Sequence, residues 1–201
     1  MKKWEKILWS LFFVGLVFKL MHWPGAGILT VFSLVLVSLF YFYLGIGVFN
    51  NLSVKQMFNR KNYTHKVRFN LLFGALFGIV LATLVIGILF KFMLWPGGNI
   101  LLLVGLISLL ISLVVYFFLH HFGKIFFEKR VFVRVVLVGL ASLGLWVIQS
   151  DSIIDFYYPN DPEYANSLKQ IVHNPSDSVA QENFIQLRNE RTTISKKTST
   201  D

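Results

Sequence analysis

There is no cysteine among the 201 residues. That excludes a disulfide framework, a thiolate zinc or iron–sulfur site and a thiol nucleophile. Charge is scarce as well: 14% of residues are charged, against about 25% in an ordinary soluble domain. Acids are the scarcer sign, ten against 19 Lys and Arg, and only Glu5 and Glu128 come before Asp151. The apolar stretches lack a polar stripe, which excludes surface helices of a soluble fold. They also lack polar/apolar alternation, which excludes a membrane β-barrel. What is present is apolar: 55% hydrophobic residues and a mean hydropathy of +0.63. This composition belongs to an integral membrane protein, and to neither a disordered chain nor a soluble domain.

Five apolar segments stand out, at residues 4–21, 26–49, 69–93, 100–119 and 131–148. At about 1.5 Å per residue each is long enough to cross roughly 30 Å of hydrocarbon as a helix. Backbone groups in lipid must be satisfied within the segment, so helices are the expected form. The fold class expected is an all-α membrane protein with five transmembrane helices and a short, partly helical C-terminal tail. The start, Met1-Lys2-Lys3-Trp4-Glu5-Lys6, resembles the charged region of a signal peptide. Cleavage after Ala26 would put Pro24 where a small residue is wanted, so the segment is expected to be retained.

A motif recurs at a constant offset of 72. Phe18-Lys19-Leu20-Met21-His22-Trp23-Pro24-Gly25-Ala26-Gly27-Ile28-Leu29 aligns with Phe90-Lys91-Phe92-Met93-Leu94-Trp95-Pro96-Gly97-Gly98-Asn99-Ile100-Leu101, and eight of the twelve positions are identical. Gly15 and Gly87 extend the match. Pro24 and Pro96 lack an N–H and fix φ near −65°, which suits the first turn of a following helix. Gly25 and Gly97 permit a tight reversal, and Trp23 and Trp95 suit the interfacial aromatic belt. Each copy therefore reads as a helical hairpin closed at the membrane surface. Two crossings per copy return the chain to its starting side, so the repeats are expected to be parallel, related about the membrane normal.

The charges set the orientation. Lys2, Lys3 and Lys6 lie at the N-terminus; Lys55, Arg60, Lys61, Lys66 and Arg68 follow the second span; Lys124, Lys129, Arg130 and Arg134 follow the fourth. The positive-inside rule places these regions, and the N-terminus, in the cytoplasm. Five crossings place the C-terminus outside. From Gln149 onward the tail carries eight of the ten acids and five basic residues. The organisation expected is a first hairpin (1–49), a basic cytoplasmic loop (50–68), a second hairpin (69–120), a basic loop with the fifth span (121–149) and an extracytoplasmic tail (150–201). In the tail, Asn160 is expected to cap a helix running to about His173, and Ser176 or Asp177 to start another reaching about Arg191. Residues 195–201 read as frayed. Loop 50–68 carries a weak amphipathic pattern in Val54, Met57 and Phe58, compatible with a surface helix or a solvated basic loop.

The candidate functional residues are those of the repeated turn: Lys19, His22, Trp23, Pro24, Gly25, Lys91, Trp95, Pro96 and Gly97. Lys19 and Lys91 are the only charges in the outer halves of the spans. Each lies four residues before a Trp, where its stem can snorkel to the interface. An inward-facing pair that recognises an anionic group is the alternative. His22 lies on the face of Lys19 and reads as an interfacial polar residue. His120-His121 is an adjacent pair whose side chains diverge on a helix, and no nearby acid completes a metal set. Gly74 and Gly78 form a GxxxG, a weak signal for close helix packing.

The turn resembles the N-terminal membrane region of GldL, the gliding-motility and type IX secretion membrane protein of Bacteroidetes. Phe18-Lys19-Leu20-Met21-His22-Trp23-Pro24-Gly25-Ala26 is similar to the F-K-x-M-H-W-P-G-A turn between that family's two transmembrane helices. Phe90 to Gly97 carries the same signature with Leu94 in place of His. The resemblance covers the two hairpins and neither the fifth segment nor the tail. It implies two tandem membrane modules in a bacterial inner membrane. The family's motor subunit has an acidic residue in its second transmembrane helix, whereas 26–49 and 100–119 contain no Asp or Glu. Proton-driven work is therefore not carried over.

The function expected is non-enzymatic: a structural, assembly or interaction role in the membrane, with a small-solute or ion transporter or channel subunit as the alternative. No cofactor and no metal are expected. The expected partners are a bilayer with anionic headgroups at the cytoplasmic face and a membrane or periplasmic protein. Nucleic acid is not expected, because the basic charge comes without a binding motif.

Overall fold

A computed structural model describes residues 2–21, 23, 25–50, 65–122 and 129–198. Among these residues every regular element is helical: α1 (Lys2–Leu20), α2 (Ala26–Asn50), α3 (His65–Phe92), α4 (Gly98–His121), α5 (Lys129–Val147), α6 (Ser150–Tyr157), α7 (Pro162–His173) and α8 (Ser178–Thr198). The amphipathic stretch around Val54, Met57 and Phe58 lies outside the described residues, as do His22 and Pro24. The chain forms two compact units. One is Met1–Met93 with Gly97–Val147, the other Leu94–Pro96 with Ile148–Asp201.

In the first unit, three helices are long and apolar enough to cross a membrane, over Ala26–Tyr43, Leu71–Phe92 and Gly98–His121. The protein is thus an α-helical membrane protein. α1 misses the same standard because Lys2, Lys3, Glu5 and Lys6 crowd its start and Lys19 its end. α5, which begins Lys129-Arg130 and contains Arg134, meets it only when counted together with α6.

α1 packs on α2, α2 on α3, α3 on α4, and α5 on both α3 and α4. α3 is the hub: 61% of its apolar stretch is buried, against 22% for α4. The core centres on Leu34 and Tyr41 of α2, Phe77, Leu81, Leu84 and Val85 of α3, and Leu102 of α4.

α2 and α3 meet backbone to backbone. A Cβ added to Gly78 would lie 2.6 Å from the Tyr41 carbonyl oxygen and 2.9 Å from Gly45 Cα. One added to Gly45 would lie 2.7 Å from Gly78 Cα and 3.1 Å from the Gly74 carbonyl oxygen. The GxxxG of Gly74 and Gly78 is therefore used within the chain, with Gly45 as its counterpart. Small residues are the means of such approach where no hydrophobic force drives helices together. Ser38 Oγ donates to the Ala82 carbonyl at 3.2 Å across the same interface.

The second unit is held by polar clamps. Asp161, one residue later than expected, caps α7 by accepting from the Tyr164 amide at 3.0 Å. Pro162 occupies the first turn and needs no partner for an amide. Asp177 caps α8, accepting from the amides of Val179 at 3.0 Å and Ala180 at 3.2 Å. α8 continues to Thr198, beyond the expected end near Arg191 and through most of the stretch expected to fray. Arg191 pairs with Asp161 at 2.8 Å, and its guanidinium lies 4.4 Å from the Tyr164 ring centre. Burial is the main cause holding the Tyr164 phenol above its ordinary pKa. α6 was not expected as a helix. It is tied to α7 by Lys169–Asp155 at 2.6 Å and His173–Asp151 at 2.9 Å.

Candidate functional site

Two polar clusters lie in the first unit, at opposite ends of its helices. The first is formed by residues that flank the repeated turn on either side. Gly25 and Gly97 adopt nearly the same left-handed conformation, with φ 85° and 86°. From each, the carbonyl accepts the first bond of the following helix: Leu29 N–H to Gly25 O and Leu101 N–H to Gly97 O, both 3.0 Å. Upstream, a Cβ on Gly15 would sit 3.2 Å from Thr30 N, and one on Gly87 3.2 Å from Leu102 N. Thr30 and Leu102 are themselves 72 apart, so the residues matched in sequence also make matched contacts. The glycines serve two needs here: a positive φ at the turn and contact between the hairpin's helices below it.

The copies differ at the position of His22. Leu94 there has φ 55°, an unusual conformation for a residue with a branched side chain; histidine is several-fold commoner than most residues in that region. Trp23 and Trp95 are both exposed. Trp23 also packs edge-on to Phe18, 4.9 Å between ring centres.

The lysines do not behave as simple anchors. Lys91 is 2% exposed, and its ammonium donates to Asn99 Oδ1 at 2.5 Å. Lys19 donates to the carbonyl of Phe92, the last residue of α3, and lies 3.8 Å from Met93 Sδ. A cation at a helix C-terminus meets carbonyls that the helix leaves without intrahelical partners. The repeat shows why the two lysines part ways. Asn99 corresponds to Gly27, which has no side chain to offer, and Met93 Cε occupies the space 3.7 Å from where a Gly27 Cβ would be. Lys19 therefore reaches from the first hairpin to the second, and couples them.

The second cluster was not foreseen. Arg134 of α5 forms a two-pronged ion pair with Glu5 of α1, Nε to Oε1 and Nη2 to Oε2, both at 2.6 Å. The side chains are only 17% and 12% exposed. Tyr41 of α2, 1% exposed, donates its hydroxyl to Glu5 Oε1 at 3.0 Å. Trp9 donates its indole N–H to the Tyr41 oxygen at 3.3 Å. Three helices thus share one carboxylate, and each donor finds an acceptor. The sequence signal is the isolation of Glu5, the only acid before Glu128, at the start of an otherwise apolar segment.

His120 and His121 are both exposed at the end of α4. His120 stacks on Tyr116, 5.6 Å between ring centres and 17° between planes. Among the described residues no three His, Asp or Glu side chains come together in a group that could hold a metal ion. Ser142, wholly buried on α5, has a hydroxyl without a hydrogen-bond partner. No family model, no curated protein and no solved structure matches the chain.

Proposed function

We propose that the protein is a non-enzymatic, five-span component of a bacterial inner membrane, built from two tandem GldL-like hairpins and a fifth helix. Its role is structural: it holds a membrane assembly together, with the N-terminus in the cytoplasm and the polar tail meeting a partner outside. The observation that carries this reading is the matched construction of the two turns at an offset of 72, with equal φ at Gly25 and Gly97 and equal contacts at Gly15 and Gly87. The added spans are α1 and α5. Their charges lie at helix ends or, for Glu5 and Arg134, neutralise each other, which removes most of the cost of placing them beside lipid.

The test is reconstitution of the full chain in vesicles together with purification in mild detergent. The expected result is solute and proton flux no faster than in protein-free vesicles, and a stoichiometric partner lost when residues 150–201 are removed. A transport subunit is the second reading, favoured by the ion pair inside the bundle. Flux above the protein-free control that disappears in Glu5→Gln would establish it and overturn the structural role.

A further inference from the structure

The two turns of the repeat differ in what they belong to. Met21, Trp23 and Gly25 of the first are exposed and form part of the helical bundle. Leu94, Trp95 and Pro96 of the second lie between α3 and α4 in sequence, yet they belong to the compact unit of the tail. The glycine bend does not set the copies apart, with φ 85° at Gly25 and 86° at Gly97. Nor do two of the three residues that join the tail, since Trp95 and Pro96 repeat Trp23 and Pro24. The third is Leu94, where the first copy has His22.

Leucine is a poor choice for the turn taken by itself. At φ 55° its Cβ crowds the following carbonyl, and glycine, asparagine and histidine enter that region more readily. The turn does not need an apolar group either, because Trp95, Pro96 and Gly97 after it are exposed. Leu94 is half-buried. On the tail's side, Ile154 and Tyr157 of α6 are buried, so that unit has an apolar interior for a leucine to join. The steric cost at position 94 is offset by burial, which a histidine there would gain less of.

We infer that the second turn is the docking surface for this chain's own tail, and that Leu94 is the residue that seats it there. Histidine in that place would not hold it. The inference goes beyond the proposed role and does not rest on it: neither the seat nor its test depends on which side of the membrane the turn faces, or on a partner.

The chain has no cysteine, so spin labels on Ile100→Cys and Glu182→Cys report only the pair introduced. Both sites are exposed, one at the start of α4 and the other on α8. In the full chain in lipid vesicles, a single narrow distance between the labels is expected. Leu94→His gives the second turn the residue of the first. Leu94→Gly removes the side chain and eases the turn. Each should lower the ratio of seated to free tails by roughly tenfold, the worth of a half-buried leucine, and a broad component should appear. Unfolding of the bundle by a denaturing detergent separates a seat from a turn-former. Leu94→Gly should leave the bundle as resistant as before or more so, because glycine takes positive φ without steric cost. A residue that only shaped the turn would instead weaken the bundle and leave the distance narrow. A narrow distance in either variant would overturn the inference, and so would a broad one in the parent chain, where no tail would be seated. Loss of helix in the variants, read by circular dichroism, would show that Leu94 maintains the fold of the tail and not its place, and would overturn it as well.

Discussion

The ion pair of Glu5 and Arg134 offers a quantitative test of how the bundle is held. Glu5→Gln keeps the shape of the side chain and removes its charge. Arg134 then remains on α5 with its side chain 17% exposed, facing a neutral amide. Removing one partner of a fully buried pair costs about 3–5 kcal/mol, while a fully exposed pair is worth about 0–1 kcal/mol. With 12% and 17% exposure and both oxygens engaged, the site lies nearer the buried limit, and a loss of about 2–4 kcal/mol is expected. Unfolding in mixed micelles, titrated with a denaturing detergent, measures it. The double-mutant cycle with Arg134→Gln isolates the coupling. Glu5→Leu with Arg134→Leu should recover most of the loss, because replacing both partners leaves no lone charge. A coupling below about 0.5 kcal/mol would show that water reaches the pair and that α1 is held by packing alone.

Gly78→Ala should destabilise by about 1–3 kcal/mol through overpacking, since its Cβ would meet backbone, whereas Gly144→Ala, which meets nothing within 4 Å, should be neutral or stabilising; the same unfolding assay compares them. Ser142→Ala should stabilise by about 1 kcal/mol, because the hydroxyl is buried without a partner, and any loss would reveal an unseen bond. Asn99→Ala should cost about 1–3 kcal/mol by depriving the buried Lys91 of an acceptor, and no change would show that Asn99 is not what holds Lys91. A single Cys introduced at Ser199, in a chain with no other cysteine, should be labelled by an impermeant reagent only from outside; labelling only from the cytoplasm would end the five-span reading.

Local chemistry was legible in the sequence, and partnership across distance was not. Trp-Pro-Gly marked both turns, and the helix limits in the first unit fall within a few residues of the apolar segments, because backbone satisfaction in lipid leaves few alternatives. The lysines looked like anchors since spacing from Trp gives depth and not direction. Only the exchange of Asn99 for Gly27 between the copies hinted that they would be bonded differently. Glu5 and Arg134 are 129 residues apart, and each alone resembles an ordinary charge at a helix end. α6 escaped notice because its eight residues lack a side-chain cap and gain their hold from α7. Asp161 took the capping place from Asn160 because Pro162 fixes where the helix begins.

The crossing at Gly45 and Gly78 bears on how many such hairpins one chain can string together. It joins the second helix of the first copy to the first helix of the next, a head-to-tail contact that does not close on itself and could in principle be extended. At the offset of 72, Gly45 corresponds to Phe117, and Gly78 to Lys6. Neither outer helix therefore offers the bare backbone that a further copy would need. A ring stands at the first of these positions and an ammonium group at the second. A second contact of the Gly45–Gly78 kind would need glycine at one of these positions, and Phe117→Gly is the change that would bare the backbone of α4 for it.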